Sequence, residues 1–119
     1  MIDHFNLPVA DLERSASFYV LALGALGYRL VARDGAALGF GRDSWRFGIV
    51  EAPPPIPKLH LAFEARSRDE VRRCFDAAVA AGGRANGAPG LRPNYDADYF
   101  AAFVLDPDGH NIEAVCRKP

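Results

Sequence analysis

The sequence predicts an α+β fold made of two βαβββ modules that form a curved mixed sheet with a cleft, helices on the outer face. Three observations carry this expectation. A β-α-β-β-β pattern of apolar residues occurs twice, at a repeat of about 55 residues. The segment Ala52-Pro53-Pro54-Pro55-Ile56-Pro57 between the copies is a stiff extended connector, because proline lacks the backbone donor and fixes φ. Near the end, Asp106-Pro107-Asp108-Gly109 lies between two apolar runs and marks a tight hairpin turn that pins the register of the last strand. The chain therefore reads as one domain, with a first module at 1–51, the connector at 52–57 and a second module at 58–119. Each half alone has too little core to stand, so the two should pack together. A four-stranded sheet with one helix leaves its other face uncovered. Two such sheets set edge to edge would curve that face into a shared cleft.

In chain order, Ile2 to Val9 alternates as a strand, with Ile2, His4 and Asn6 on one face and Asp3, Phe5 and Leu7 on the other. Asp11 caps a helix whose stripe is Leu12, Ala16, Tyr19 and Leu23, widened by Phe18 and Ala22 and ended by Gly24 and Gly27. Tyr28 to Ala32, Ala36 to Phe40 and Trp45 to Val50 are short strands divided by Asp34-Gly35 and by Gly41 to Ser44. After the prolines, Leu59 to Glu64 is a strand, and Ser67-Arg68-Asp69-Glu70 is a capping box. The helix that follows shows Val71, Cys74, Phe75 and Ala78 on one stripe and stops at Gly82-Gly83. Arg84 to Ala88 is a weak strand, Asn86 to Asp98 a loop rich in turn formers, and Tyr99 to Leu105 and Ile112 to Cys116 are the last strands. His110 reads as a turn residue with solvent access, and Trp45 as a core candidate.

Composition excludes several classes. Half of the 119 residues are apolar, 24% are charged, and the formal charge of −1 offers nothing to nucleic acid or an anionic membrane. The expected partner is a small-molecule substrate or ligand. Cys74 and Cys116 form no CxxC or zinc-type spacing, Met1 leads into a strand pattern, and no apolar run would cross a bilayer. The chain is expected to be cytoplasmic with reduced thiols that only pack.

Strand parity singles out three residues. His4, His60 and Glu113 each lie opposite the bulky helix-facing set of their strands, so all three point toward the expected cleft. A carboxylate in an apolar strand must be solvated, paired, or holding a cation. Two histidines and one carboxylate suit ferrous iron, and also manganese, nickel or zinc, with positions left open. The rival is a metal-free polar cleft in which Glu113 pairs with a histidine. Asn6 shares the face of His4, and the 86–98 loop, read as a lid, carries Arg92, Tyr95 and next to it Tyr99; these four are the candidate substrate-binding residues. No catalytic residue is singled out.

These residues carry a resemblance. The opening Ile2-Asp3-His4, the run Val9-Ala10-Asp11-Leu12-Glu13-Arg14-Ser15 leading to Phe18-Tyr19, the His60 strand, and Asp106 to Gly109 leading to Ile112-Glu113 resemble the vicinal oxygen chelate superfamily. That superfamily groups glyoxalase, bleomycin-resistance and extradiol dioxygenase proteins. The resemblance implies the two-module fold, a homodimer, and His4, His60 and Glu113 at the positions of metal ligands. It does not choose among isomerisation, ring cleavage, thiol transfer and drug sequestration. Two departures bear on a lactoylglutathione lyase. The family's fourth ligand position falls on Gly48, with Glu51 on the wrong strand parity, and Pro8 stands where those lyases carry an arginine. Two functions are expected to compete: a divalent-metal enzyme (lyase, isomerase or dioxygenase) holding a vicinal-oxygen substrate, and a metal-free binder of a flat or cationic molecule using Trp45, Tyr95 and Tyr99.

Overall fold

A computed structural model describes residues 1–119. Its ten elements are β1 (Phe5–Val9), α1 (Leu12–Gly24), β2 (Arg29–Asp34), β3 (Ala37–Gly41), β4 (Phe47–Glu51), β5 (His60–Glu64), α2 (Arg68–Ala80), β6 (Arg84–Leu91), β7 (Phe100–Leu105) and β8 (Asn111–Cys116). They form two four-stranded mixed sheets ordered β1-β4-β3-β2 and β5-β8-β7-β6, an α+β arrangement as the repeat predicts. In each sheet the first strand runs parallel to the last, and the remaining pairs are antiparallel.

The helices start where short polar side chains satisfy their free N–H groups. The Asp11 side chain accepts from the N–H of Arg14, and Glu51 Oε1 accepts from the N–H of Leu12 at 3.0 Å. Glu51 is thus tied to a helix start, away from the open face, the side its parity excludes. At α2 the Ser67 hydroxyl accepts from the N–H of Glu70, whose carboxylate accepts from the N–H of Arg66 at 2.7 Å, one residue before the cap. Each helix covers one face of its own sheet and touches the other helix. One core of 23 buried residues therefore spans both halves, with Phe47 and Phe63 meeting edge to face at 5.0 Å.

The Asp106 to Gly109 turn does more than close a hairpin. Asp106 accepts from Tyr19 Oη at 2.5 Å, while Asp108 accepts from the N–H of Ala10 and the hydroxyl of Ser15 in the first half. Gly109 takes φ 87°, a left-handed conformation that favours glycine. His110, expected in solvent, is fully buried. Its Nδ1 accepts from the N–H of Leu59 at 3.0 Å and its Nε2 donates to the carbonyl of Pro8 at 2.8 Å. The second half's turn is thus clasped onto the first half's opening strand, and docking, not the turn itself, removes His110 from water.

Three further expectations shift. β1 begins at Phe5, which leaves His4 just ahead of the strand. β6 continues to Leu91 and takes in the first part of the expected 86–98 loop, because two register shifts let this Gly- and Pro-bearing segment stay paired with β7. Trp45 precedes β4 and is half-buried on the open face of the first sheet, not in the core.

Candidate functional site

On the open face of the second sheet, the register sets Glu113 beside Ala62 of β5 and Phe103 of β7, with His60 beside Asn111 one step away. Glu113 is only 3% exposed. One of its oxygens accepts from the Tyr99 hydroxyl, and the other lies 3.1 Å from His60 Nε2. Burial, and then the bond to Glu113 and its charge, push the Tyr99 phenol up to about 12, so it remains a protonated donor at neutral pH. His60 Nδ1 is 2.8 Å from the Asn111 carbonyl oxygen. A carbonyl only accepts, so Nδ1 carries a hydrogen and, in the neutral ring, Nε2 aims a lone pair at a carboxylate oxygen. Two such lone pairs at 3.1 Å need a proton or a cation between them. The spacing also suits two neighbouring ligands of one metal: bonds of about 2.1 Å at right angles set their donor atoms about 3.0 Å apart.

His4 immediately precedes β1 of the other sheet and shows the same local chemistry. Its Nδ1 donates to Asp3 Oδ1 at 2.8 Å, leaving Nε2 unpledged, and its ring lies 4.2 Å from that of Trp45. The bond from His4, and then the charge of Arg46, hold the Asp3 carboxyl below its ordinary range. Both histidines thus have the donor-to-oxygen bond at Nδ1 that commonly orients metal-ligating imidazoles. Within one chain the structure brings His60 and Glu113 together, and His4 is not in that group.

The three metal-type side chains that do converge, with ligand atoms within 4.8 Å of one another, are Asp106, Asp108 and His110. They are a candidate cation cluster by proximity. Both ring nitrogens of His110 and the carboxylates of both aspartates are nevertheless engaged in the clasp between the halves, which leaves no imidazole lone pair for an ion.

The remaining candidates divide. Asn6 is on the open face of the first sheet, where a Cβ placed on Gly48 would lie 2.2 Å from Asn6 Oδ1 and 3.1 Å from Trp45 Nε1. Asn6 and Trp45 therefore fill the space that a ligating side chain at position 48 would need. Tyr99 touches Glu113 directly, whereas Tyr95 is 63% exposed and packs on Tyr99 edge to face at 5.0 Å. Arg92 folds back onto the Ala88 carbonyl at 2.8 Å and over the Phe103 ring. The roles of Asp3 and Phe103 escaped strand parity. The signals present for them were an acid directly before His4, and the hairpin register that sets Phe103 opposite Glu113.

The chain resembles known proteins along nearly its whole length. The family model described as Glyoxalase/Bleomycin resistance protein/Dioxygenase superfamily matches residues 1–114. The crystal structure of a glyoxalase/bleomycin resistance protein from Albidiferax ferrireducens T118 superimposes with TM-score 0.84 at 31% identity, covering 98% of each chain. The Bacillus subtilis protein YqjT is 30% identical over 94% of this chain and 95% of its own. A Vibrio cholerae protein named "Probable lactoylglutathione lyase" is 29% identical over 97% of this chain and 89% of its own. With its two mixed sheets, two helices and this match, the chain belongs to the glyoxalase/bleomycin resistance protein/dioxygenase superfamily.

Proposed function

We propose that this protein is a divalent-metal-dependent enzyme that acts on a small substrate with two adjacent oxygens, as a lyase, isomerase or dioxygenase, in the cytoplasm. The observation that carries the reading is the 3.1 Å approach of His60 Nε2 to Glu113 Oε2, with Nδ1 held on a carbonyl and the second carboxylate oxygen held by Tyr99. His60 and Glu113 are two ligands for iron, manganese, nickel or zinc, and His4 of a second copy in a homodimer is the third. The two modules, 1–51 and 58–119, are the units that such a dimer would bring face to face. The metal, when bound, supplies Lewis-acid stabilisation of charge on the substrate oxygens. The chain's own side chains do the rest. Tyr99 keeps one Glu113 oxygen occupied, Phe103 backs the His60 ring at 6.1 Å, and Asp3 holds the His4 ring at Nδ1. Gly48 and Pro8 favour a substrate other than the glutathione adduct of lactoylglutathione lyases.

Elemental analysis of untagged protein tests the metal, beside the double variant His60→Ala/Glu113→Ala. The expected result is about one divalent ion per chain in the wild type and none in the variant. Wild type that stays metal-free after anaerobic loading with each of the four metals would refute the reading. One observation favours the metal-free alternative: an apolar hollow beside Trp45, away from the His60–Glu113 pair. A binder of that kind would hold its ligand equally well in chelator.

A further inference from the structure

Asn86-Gly87 is the one Asn-Gly pair in the chain; Asn6, Asn94 and Asn111 precede Leu, Tyr and Ile. The pair falls on β6, an edge strand, at a shift of register. Ala85 pairs with Val104 and Gly87 with Phe103, so Asn86 is the extra residue of a bulge and has no partner in the ladder. Its side chain is exposed, and its amide Nδ2 donates across β7 to Asn111 Oδ1 on β8 at 3.2 Å. At position 87 a Cβ would come within 2.8 Å of Phe103 Cδ1 and 3.3 Å of an Arg92 guanidinium nitrogen. The packing of Phe103 therefore favours glycine directly after an unpaired, solvated asparagine.

We propose that Asn86 is a site of self-modification in the folded protein, at which the Gly87 backbone nitrogen displaces the side-chain amide as ammonia. The Gly87 nitrogen gives its proton to water or hydroxide and attacks Cγ of Asn86. The N–Cγ bond forms, the Cγ–Nδ2 bond breaks, and the leaving nitrogen takes up a proton. Water then opens the five-membered imide at either carbonyl, giving aspartate or isoaspartate, and no oxidant or metal is required. Glycine is the follower that permits this, since it has no Cβ to crowd the attack and lets the backbone rotate into the geometry needed. Ladder partners hold a residue in a regular strand away from that geometry, whereas a bulge on an edge opens locally at small cost. The bond to Asn111 is exposed and neutral, so it restrains the amide only weakly against water. All reacting atoms belong to two adjacent residues of one chain. A second copy over the open face can slow the reaction by excluding water, but it supplies no reactant. The product sets a carboxylate beside Asn111, whose backbone carbonyl holds His60 Nδ1, and the isoaspartate form also lengthens the β6 backbone by one carbon. The inference goes beyond the metal reading and stands without it.

The test is incubation of the folded protein, and of the same protein unfolded in guanidinium chloride, at mildly alkaline pH and body temperature. Intact mass and peptide mapping follow the conversion, each event raising the mass by the difference between a hydroxyl and an amino group. The folded protein should convert at Asn86 at a rate within roughly tenfold of the unfolded chain, because the bulge is exposed at an edge. Asn6, Asn94 and Asn111 should stay intact over that period, and the rate should rise with pH, since the attacking nitrogen must first lose its proton. Asn86→Gln, whose ring closure would need a less favoured six-membered imide, should keep its mass. Folded protein that gains nothing at Asn86 in the time the unfolded chain converts fully would overturn the proposal. So would a mass gain in Asn86→Gln equal to that of the wild type.

Discussion

Replacing Tyr99 by Phe removes one oxygen and keeps the ring that packs against Tyr95 and lies under Arg117. The lost group is the hydroxyl that donates to the nearly buried Glu113. Without it, one carboxylate oxygen loses its donor and Glu113 is freer to turn away from His60. A hydrogen bond to a charged group contributes roughly 1.5–3 kcal/mol, so the metal-free variant should lose stability on that scale in urea unfolding. If Glu113 holds a metal through the oxygen facing His60, the phenol orients that ligand from outside. Loss of such a partner commonly weakens a site by about 10- to 100-fold, or about 1.4–2.7 kcal/mol. Competition with a chromophoric chelator for zinc or cobalt measures this directly, with His60→Ala as the variant that removes a ligand. Affinity unchanged within about twofold in Tyr99→Phe, while His60→Ala abolishes binding, would show that the phenol does not set the carboxylate and that the orienting argument is wrong.

Other perturbations follow from the same geometry. His110→Leu strands the N–H of Leu59 and the carbonyl of Pro8 in a buried junction, and should cost roughly 2–5 kcal/mol in urea unfolding; a loss below about 1 kcal/mol would deny the clasp its role. Gly41→Ala places a Cβ 1.7 Å from the backbone oxygen of Ser44 and should prevent stable folding, whereas Gly24→Ala, with nothing within 4 Å in a helix, should be neutral or stabilising by about 0.5–1 kcal/mol; a Gly41→Ala melting temperature equal to that of Gly24→Ala would contradict the contrast. Burial raises the Tyr19 and Tyr99 phenols and the Cys74 thiol above their ordinary values, the last two to about 12. These groups ionise first in the unfolded chain. Their contribution is complete below their ordinary values and is lost as pH climbs toward the folded ones, so stability should fall steadily above about pH 9. Tyr19→Phe should flatten that decline, and a profile already flat in the wild type would refute the assignment.

Much of this protein was legible in its sequence because its strands are short, alternating and repeated. Period-two alternation alone turns His60 and Glu113 to the same face, and the structure brings them within 3.1 Å. Asp11 and Ser67 declare the helix starts, since a short oxygen-bearing side chain before an apolar stripe has few other uses. Local chemistry also foretold that Cys74 and Cys116 would be buried packing residues.

Tertiary structure decided what depends on distant partners. His110 reads as exposed because a turn is ordinarily wet, and only docking of the 106–110 turn on Pro8 and Ala10 buries it. The weak strand read at 84–88 runs on through residues 89–91, which read as loop because Gly and Pro are poor strand formers, and pairing with β7 overrode that preference. Trp45 is apolar enough for a core, yet two opposed glycines, 39 and 48, give it a flat seat on the open face. His4 has the parity of a ligand, but it leads into β1, which is not in the sheet of His60 and Glu113. Alternation sets which way a side chain points from its own strand, a local property of the backbone. Which side chains then meet depends on how the sheets are packed, and that is set by the shared core and the clasp between the halves.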